Sequence, residues 1–292
     1  MPRIDIYGNS RQSTKLHELR RFFEALTLSG SPENLHVDNE YLLFLREVIP
    51  NIAARLKPID AASDPAPSLA LSIGGDGTFL TTANRIGGSG TPIMGINSGH
   101  LGYLSAADIA QADALAGRIV SGEFTVEPRT LLQVCSESPL LPPRPFALNE
   151  VAILKQATAS MITVETRLNG HLLASVGGDG LIVSTPTGST GYNLSVGGPV
   201  VSPNSTEWIL SPVAPHSLYM RPLVVDDSSV VTVRVRSRSG FFMLAIDGRS
   251  TSLSEDTELV LRKAPFRINV AHLPGQNFID TLRYKLHWGI DK

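Results

Sequence analysis

The stretch Ser68-Leu69-Ala70-Leu71-Ser72-Ile73-Gly74-Gly75-Asp76-Gly77-Thr78 decides the class of this fold. Ser68 to Ile73 is a short apolar run that stops at glycines, the pattern of a strand buried on both faces. A helix is predicted from Phe79, so the glycines and Asp76 lie in a strand-to-helix turn. Gly74, Gly75 and Gly77 take side chains out of that turn, which lets a bulky anion approach the backbone. Successive N–H groups there can form an anion nest, and a helix start adds positive potential. The acid is the unusual part. Beside phosphates a carboxylate is repelled unless a metal or a proton transfer needs it, and a carboxylate that takes a hydroxyl proton is a known device in phosphoryl transfer. The plainer alternative is a glycine turn with Asp76 capping the helix. Neither Gly-x-x-x-x-Gly-Lys-Ser/Thr nor Gly-x-Gly-x-x-Gly occurs in the chain. Phosphate charge must therefore be met by backbone, metal or other side chains.

Outward from this turn, strand and helix signals alternate. Arg3 to Tyr7 reads as a strand closed by Gly8-Asn9-Ser10. Lys15 to Leu28 carries Leu16, Leu19, Phe22, Phe23 and Leu26 on one helical face. Tyr41 to Leu56 repeats that pattern, with Pro50 as a break. Ala61 to Pro67 is a loop, Pro92 to Ile96 a strand, and Ser105 to Val120 a helix with Ser105 as its N-cap. Such alternation implies an α/β domain with a mainly parallel, Rossmann-like sheet. Its expected extent is 1–123. From Phe124 the character changes. Thr125 to Val134, Phe146 to Leu154, Met161 to Leu168, Val230 to Val235, Phe241 to Ile246 and Leu259 to Val270 are strand-like, and Asn169-Gly170 marks a tight hairpin. An all-β second domain is expected over 124–271. The tail, 272–292, reads as an amphipathic helix with Phe278, Leu282, Tyr284 and Leu286, packing back on the first domain.

Composition narrows the function classes. The chain has 292 residues, 42% apolar and 18% charged, with a formal net charge of -2. That suits folded domains rather than disorder. Lysine and arginine are scattered without a run of five, so nucleic acid is not an expected partner. No apolar run approaches the roughly 18 residues a bilayer span needs. The N-terminus lacks a signal pattern. Cys135 is the only cysteine. It reads as a buried strand thiol and suits a reducing cytoplasm.

Further clusters carry polar chemistry. Asn149-Glu150 interrupts an apolar strand, which costs burial energy unless hydrogen-bonded. It suits gripping two ribose hydroxyls, or it marks a strand end. Asp179-Gly180 is followed by Thr185-Pro186-Thr187-Gly188-Ser189-Thr190-Gly191-Tyr192, rich in hydroxyls that can donate to phosphate or ribose oxygens. Tyr192 can stack on a base. The alternative is a turn-rich loop between strands. Thr187 fills the first glycine position of Gly-x-Ser-x-Gly, so no nucleophile elbow is present. Asp247-Gly248 alone is a turn. His216 has no second histidine at metal spacing. Arg221-Pro222 can meet a phosphate or an acidic surface group.

Together these motifs resemble the NAD kinase family over nearly the whole chain. They run in order through Gly74 to Thr78, Gly95-Ile96-Asn97 with Gly99-His100-Leu101-Gly102-Tyr103, Asn149-Glu150, Asp179-Gly180 and Thr185 to Ser195. Pro215 to Leu218 with Arg221-Pro222, Asp247-Gly248, and Phe278 to Gly289 follow. The glycine turn is shared with diacylglycerol, sphingosine and phosphofructo-kinases; the Thr-Pro-Thr-Gly-Ser-Thr segment is more specific. The resemblance implies transfer of the γ-phosphate of ATP to the adenosine ribose 2′-hydroxyl of NAD, with a divalent cation such as Mg²⁺ on the donor. Asp76 would be the general base, and Gly74, Gly75, Gly77 and Thr78 would face phosphates. Asn149 and Glu150 would hold ribose hydroxyls, and Asp179 would reach the nicotinamide side. Thr190, Gly191, Tyr192 and Ser195 would line the adenine and ribose pocket, and Thr187 and Asn193 would also contact the nucleotide. No protein metal ligands are implied. The family pairs an α/β N-terminal domain with a β-sandwich C-terminal domain, works between them, and forms homodimers or homotetramers. This chain departs from it at Gly191, where alanine is usual, at Thr81 and Ser160, where basic residues are frequent, and at Arg249, where glutamine is frequent. A lipid or sugar kinase sharing the glycine turn, or a silent dinucleotide-binding regulator, remains open at this point.

Overall fold

The computed structural model describes residues 2–10, 15–60, 66–98, 102–156 and 160–289. The segment Gly99-His100-Leu101 and most of the loop expected from Ala61 lie outside the described residues. The chain divides into two compact units, Met1–Pro128 with Ile268–Lys292, and Arg129–Arg267.

The first unit begins with β1 (Ile4–Gly8), α1 (Leu16–Ser29), β2 (Leu35–Val37), α2 (Asn39–Val48), α3 (Pro50–Ala53) and β3 (Lys57–Pro58). It continues with β4 (Leu69–Ile73), α4 (Asp76–Ile86), β5 (Ile93–Asn97), β6 (Ser105–Asp108), α5 (Ala112–Ser121) and β7 (Thr125–Arg129). Helix α1 buries Leu19, Phe22, Phe23 and Leu26, as their spacing predicts. Pro50 stops α2 and opens α3 at its first turn, where a missing N–H costs nothing. All five residues of β4 are buried. Two expectations need correction. Helix α4 starts at Asp76, not Phe79. Ser105 opens a strand rather than a helix, because Ala106 is buried and β6 pairs parallel with β5. Asp108 caps the short 3₁₀ turn Ile109–Gln111 ahead of α5, its carboxylate accepting the Ala110 N–H at 2.9 Å, and α5 itself has no side-chain cap.

The second unit contains β8 (Leu132–Cys135), β9 (Phe146–Ala147), β10 (Glu150–Lys155), β11 (Ile162–Leu168), β12 (His171–Gly178), β13 (Gly180–Ser184) and α6 (Tyr192–Ser195). Six more strands follow: β14 (Glu207–Val213), β15 (Leu223–Asp226), β16 (Val231–Ser237), β17 (Phe241–Ile246), β18 (Arg249–Ser254) and β19 (Leu259–Lys263). They form two six-stranded sheets, ordered β15-β14-β13-β10-β17-β18 and β12-β11-β16-β19-β8-β9. Trp208, Val151, Ile153, Phe242 and Leu244 of one sheet and Ile162, Val164, Val231, Val233 and Leu261 of the other fill one shared core. This is the expected β-sandwich. Asn169 and Gly170 take φ of 50° and 83° at the β11–β12 hairpin, the two positive values a tight turn needs. Phe146 to Leu154 is two strands in opposite sheets, broken at Leu148-Asn149. Cys135 is half-buried rather than buried.

The chain then returns to the first unit with β20 (Ile268–His272) and α7 (Phe278–Leu286). Strand β20 pairs parallel with β5, giving the order β3-β2-β1-β4-β5-β20-β7 with β6 also beside β5. Residues 268–271 and 125–128, expected in the second domain, thus belong to the first sheet. Ile268, Val270 and Ala271 are buried there. Strand-like composition does not say which sheet owns the strand, whether it is largely buried like β20 or largely exposed like β7. Strand order reverses between β1 and β4, and open α/β sheets bind ligands at the carboxyl ends of such a pair. Among the described residues no helix is long and apolar enough to cross a membrane.

Candidate active site

In the first unit the turn after β4 lies beside the end of β1. The Asn9 side-chain amide donates to Thr78 Oγ1 at 2.6 Å across that reversal point. Gly74 has φ of 153°, and a Cβ there would run into the Thr78 side chain. Gly75 and Gly77 differ, because a Cβ on either would meet nothing within 4 Å. Glycine in a helix costs about 1 kcal/mol relative to alanine, so internal packing gives no reason for Gly77. Open backbone at the start of α4, which has no side-chain cap, does give one. A cavity of about 220 Å³ adjoins it, lined by Tyr7, Asn9, Asp38, Gly77, Thr78 and Arg85 among others.

Asp76 does not cap its own helix. Its carboxylate accepts the backbone N–H groups of Tyr103 at 2.7 Å and Leu104 at 2.9 Å. Gly102 makes that reach possible, since a Cβ there would clash with Asp76 Oδ1.

In the second unit Asn149 and Glu150 sit at the start of β10, held from behind by Asp247. The Asp247 carboxylate accepts N–H bonds from Leu148 at 2.7 Å, Asn149 at 2.9 Å and Glu150 at 3.1 Å. Its own N–H returns a bond to the Glu150 carbonyl. Asp247 manages this from φ of 47°, in the β17–β18 turn with Gly248 at 77°. Asn149 Oδ1 and Glu150 Oε2 are buried with no hydrogen-bond partner among the described residues. Buried acceptors left open in this way are costly unless something else fills them.

Burial pushes the Glu150 carboxyl up to about 7, helped by the Asp247 charge and opposed by the Tyr192 N–H. Burial also raises Asp247 to about 6, against the three N–H donors and the Arg249 charge. The pair titrates together. Near neutrality Glu150 can thus offer a proton as well as accept one. Each raised carboxyl keeps its proton longer in the folded chain than in the unfolded one. Between the ordinary carboxylate range and about 7 the folded state therefore binds more protons, so stability falls as pH rises. The melting temperature of the free protein is expected to drop by a few degrees from about pH 5 to about pH 7.5, with a shallower slope in Glu150→Gln. An equal slope in that variant removes Glu150 from the account.

The hydroxyl-rich segment wraps this clamp. Thr185 Oγ1 donates to the Leu148 carbonyl at 2.5 Å and accepts the Gly188 N–H at 3.1 Å. Ser184 Oγ donates to the Asn149 carbonyl at 3.3 Å. Gly188 packs on the Asn149 backbone where a Cβ would not fit. Thr187 is buried, and Asn193 is fully buried. The Asn193 amide donates to the carbonyls of Ser189 and Pro199 and accepts from Ser211. Gly191 lies beside the open pair, since a Cβ there would stand 3.1 Å from Glu150 Oε2. Thr190 is half-buried, and Tyr192 and Ser195 are exposed beside it. Asp179 lies between β12 and β13 and pairs with Lys155 at 2.6 Å.

Several residues take other roles than their motifs suggested. Arg221 bonds the carbonyls of Leu218 and Met220 in its own loop. His216 is exposed. The Arg249 guanidinium donates to the carbonyls of Pro143, Arg144 and Phe146. The seat that Gly102, Tyr103 and Leu104 make for Asp76 was not read from sequence, though a glycine followed by a tyrosine stood in view. Asp247 as a backbone clamp also escaped, because Asp-Gly is the ordinary signature of a turn.

Comparison with known proteins agrees with this layout. Residues 46–124 match the ATP-NAD kinase N-terminal domain, and residues 148–273 match the ATP-NAD kinase C-terminal domain. An NAD kinase of Porphyromonas gingivalis is 40% identical over 289 residues, covering 99% of each chain. One from Bacteroides fragilis is 40% identical over 286 residues, covering 98% of each. An NAD kinase from Archaeoglobus fulgidus, solved in complex with ATP, superposes with a TM-score of 0.72 at 26% identity, over 96% of this chain and 98% of that one. Yeast NADH kinase complexed with NADH shares the fold, with a TM-score of 0.84 at 21% identity, over 100% of this chain and 90% of that one. With both domains matched in order and relatives alike from end to end, the chain belongs to the ATP-NAD kinase family.

Proposed function

We propose that this chain transfers the γ-phosphoryl group of ATP to the 2′-hydroxyl of the adenosine ribose of NAD, making NADP. The observation that carries this reading is the Asp76 carboxylate, fixed by two backbone N–H groups beside an uncapped, side-chain-poor helix start. The bacterial NAD kinases at 40% identity support NAD as acceptor. The ATP complex of the Archaeoglobus enzyme supports the donor.

In this mechanism the N–H groups at the start of α4 hold donor phosphate oxygens. The ribose 2′-oxygen attacks the γ-phosphorus in line, its proton passes to Asp76, and the bond from phosphorus to ADP breaks. Asn149 Oδ1 and Glu150 Oε2 meet ribose hydroxyls. Asp179 faces the nicotinamide side. Gly191, Tyr192, Thr190, Thr187 and Ser195 border the adenine and ribose, and Asn193 shapes that border from behind. Among the described residues no three His, Cys, Asp or Glu side chains gather into a cation cage. Mg²⁺ suits the other mode of binding, carried in on the donor's phosphates as part of the substrate.

The deciding assay follows NADP formation from NAD and ATP, with diacylglycerol and ATP as the control. Lipid phosphorylation without NADP would make the chain a lipid kinase. Dinucleotide binding without product under any donor or metal would make it a silent regulator. Gly102→Ala tests the seat of the acid directly. It is expected to displace the carboxylate and lower turnover by up to about 10²-fold, with NAD affinity near that of the parent. Unchanged turnover would show that the seat is not needed.

We further propose a homo-oligomer working in the cytoplasm. Leu218 and Tyr219 are 87% and 94% exposed, and Leu172 is 60% exposed, which supports a partner surface. Light scattering is expected to give a multiple of the 31.4 kDa chain mass, and the monomer mass would refute this. The single cysteine supports a reducing compartment.

A further inference from the structure

Helix α7 brings a charge to the neighbourhood of Asp76. Lys285 Nζ is buried and has no hydrogen-bond partner among the described residues. It lies 5.4 Å from the centroid of the Tyr103 ring. The Tyr103 hydroxyl is likewise buried and without a partner. The same tyrosine donates its backbone N–H to Asp76 at 2.7 Å. One residue therefore ties the acid on one side to the ammonium on the other.

A buried ammonium is unfavourable unless something pairs with it. Burial draws Lys285 below its ordinary range, while the Asp76 charge holds it up. The Asp76 oxygens are engaged with N–H groups, and no carboxylate lies within ion-pair distance of Lys285 among the described residues. The glycine turn itself has no lysine or arginine, and Arg85 on α4 is paired with Asp38. The phosphate charge left unmet by the turn and the cation left unpaired by the fold thus occur in the same unit, on either side of Tyr103.

We infer that Lys285, with the Tyr103 hydroxyl beside it, receives the phosphate chain of the donor next to Asp76. The donor's identity rests on the phosphotransfer reading above, whereas the phosphate site does not. Lysine serves such a site as a point charge, and the aromatic ring keeps the ammonium in place without neutralising it. The C-terminal helix would then complete the catalytic turn rather than merely cover the first sheet. The acceptor's pyrophosphate offers the same chemistry, and the test separates the two.

Full-length Lys285→Met keeps side-chain length over Tyr103 and removes the charge, while Lys285→Arg keeps the charge. Lys285→Met is expected to lower kcat/KM for ATP by about 10²-fold and leave the KM for NAD within about threefold. Calorimetric affinity for tripolyphosphate is expected to fall at least about tenfold, and Lys285→Arg to recover most of it. A kcat/KM for ATP within about threefold of the parent, or a loss confined to the KM for NAD, overturns the inference. So does unchanged tripolyphosphate affinity. Should Lys285→Met fail to fold, Tyr103→Phe decides, since loss of the hydroxyl must weaken tripolyphosphate binding by about threefold or more. If the parent makes no NADP, the phosphotransfer reading fails, and the tripolyphosphate titration still judges Lys285.

Discussion

Asp76→Asn is expected to lower NADP formation by about 10²–10⁴-fold while NAD affinity stays within about threefold of the parent. The range is that of general base catalysis, because the amide cannot take the hydroxyl proton. Shape changes little, but hydrogen bonding does. Asp76 accepts from Tyr103 and Leu104 with both oxygens, and asparagine has one acceptor oxygen to give. Some loss from a shifted turn therefore adds to the chemical loss. Measuring kcat together with calorimetric NAD affinity separates the two. Turnover within about tenfold of the parent would remove Asp76 from the proton transfer.

The second large effect lies in the other unit. Asp247→Ala leaves the N–H groups of Leu148, Asn149 and Glu150 without their acceptor. Each buried donor so abandoned costs about 1–3 kcal/mol. Part is offset, because burial already disfavours the Asp247 charge. A net destabilisation of about 2–4 kcal/mol is expected by denaturant titration. The KM for NAD should rise at least about tenfold, since Asn149 and Glu150 are placed by those bonds. Asp247→Asn, keeping one acceptor oxygen, should fall between. A loss below about 1 kcal/mol with unchanged KM would show that the strand start holds its shape without the clamp.

Much of this architecture could be read in the sequence, for physical reasons that also set the limits. Helix α1 announced itself because Leu19, Phe22, Phe23 and Leu26 recur at helical spacing and are buried. Strand β4 did so because an unbroken apolar run meets glycines. Ownership of strands was harder. Local composition marks a strand but not the sheet that owns it, so the largely exposed β7 and the largely buried β20 both read as part of the sandwich. The break at Leu148-Asn149 was hidden for a related reason, since its hydrogen bonds come from Asp247, 97 to 99 positions later. At the site, Asp76, Asn149 and Glu150 were visible as polar residues where apolar or small ones should stand. The groups that position Asp76, and Lys285 on α7, were not visible. Their meaning depends on distances across the fold, which no local pattern encodes.

The placement of β20 between β5 and β7 has a consequence for biogenesis. A nascent polypeptide that has emerged only through Pro128 lacks the strand that separates those neighbours. The whole sandwich must leave the ribosome before the first sheet can close, so β7 and the Ile93 end of β5, which β6 does not cover, stay unpaired during translation. The sandwich, Arg129–Arg267, is continuous in sequence and free of that delay. It can mature first, which reverses the usual N-to-C order of vectorial folding.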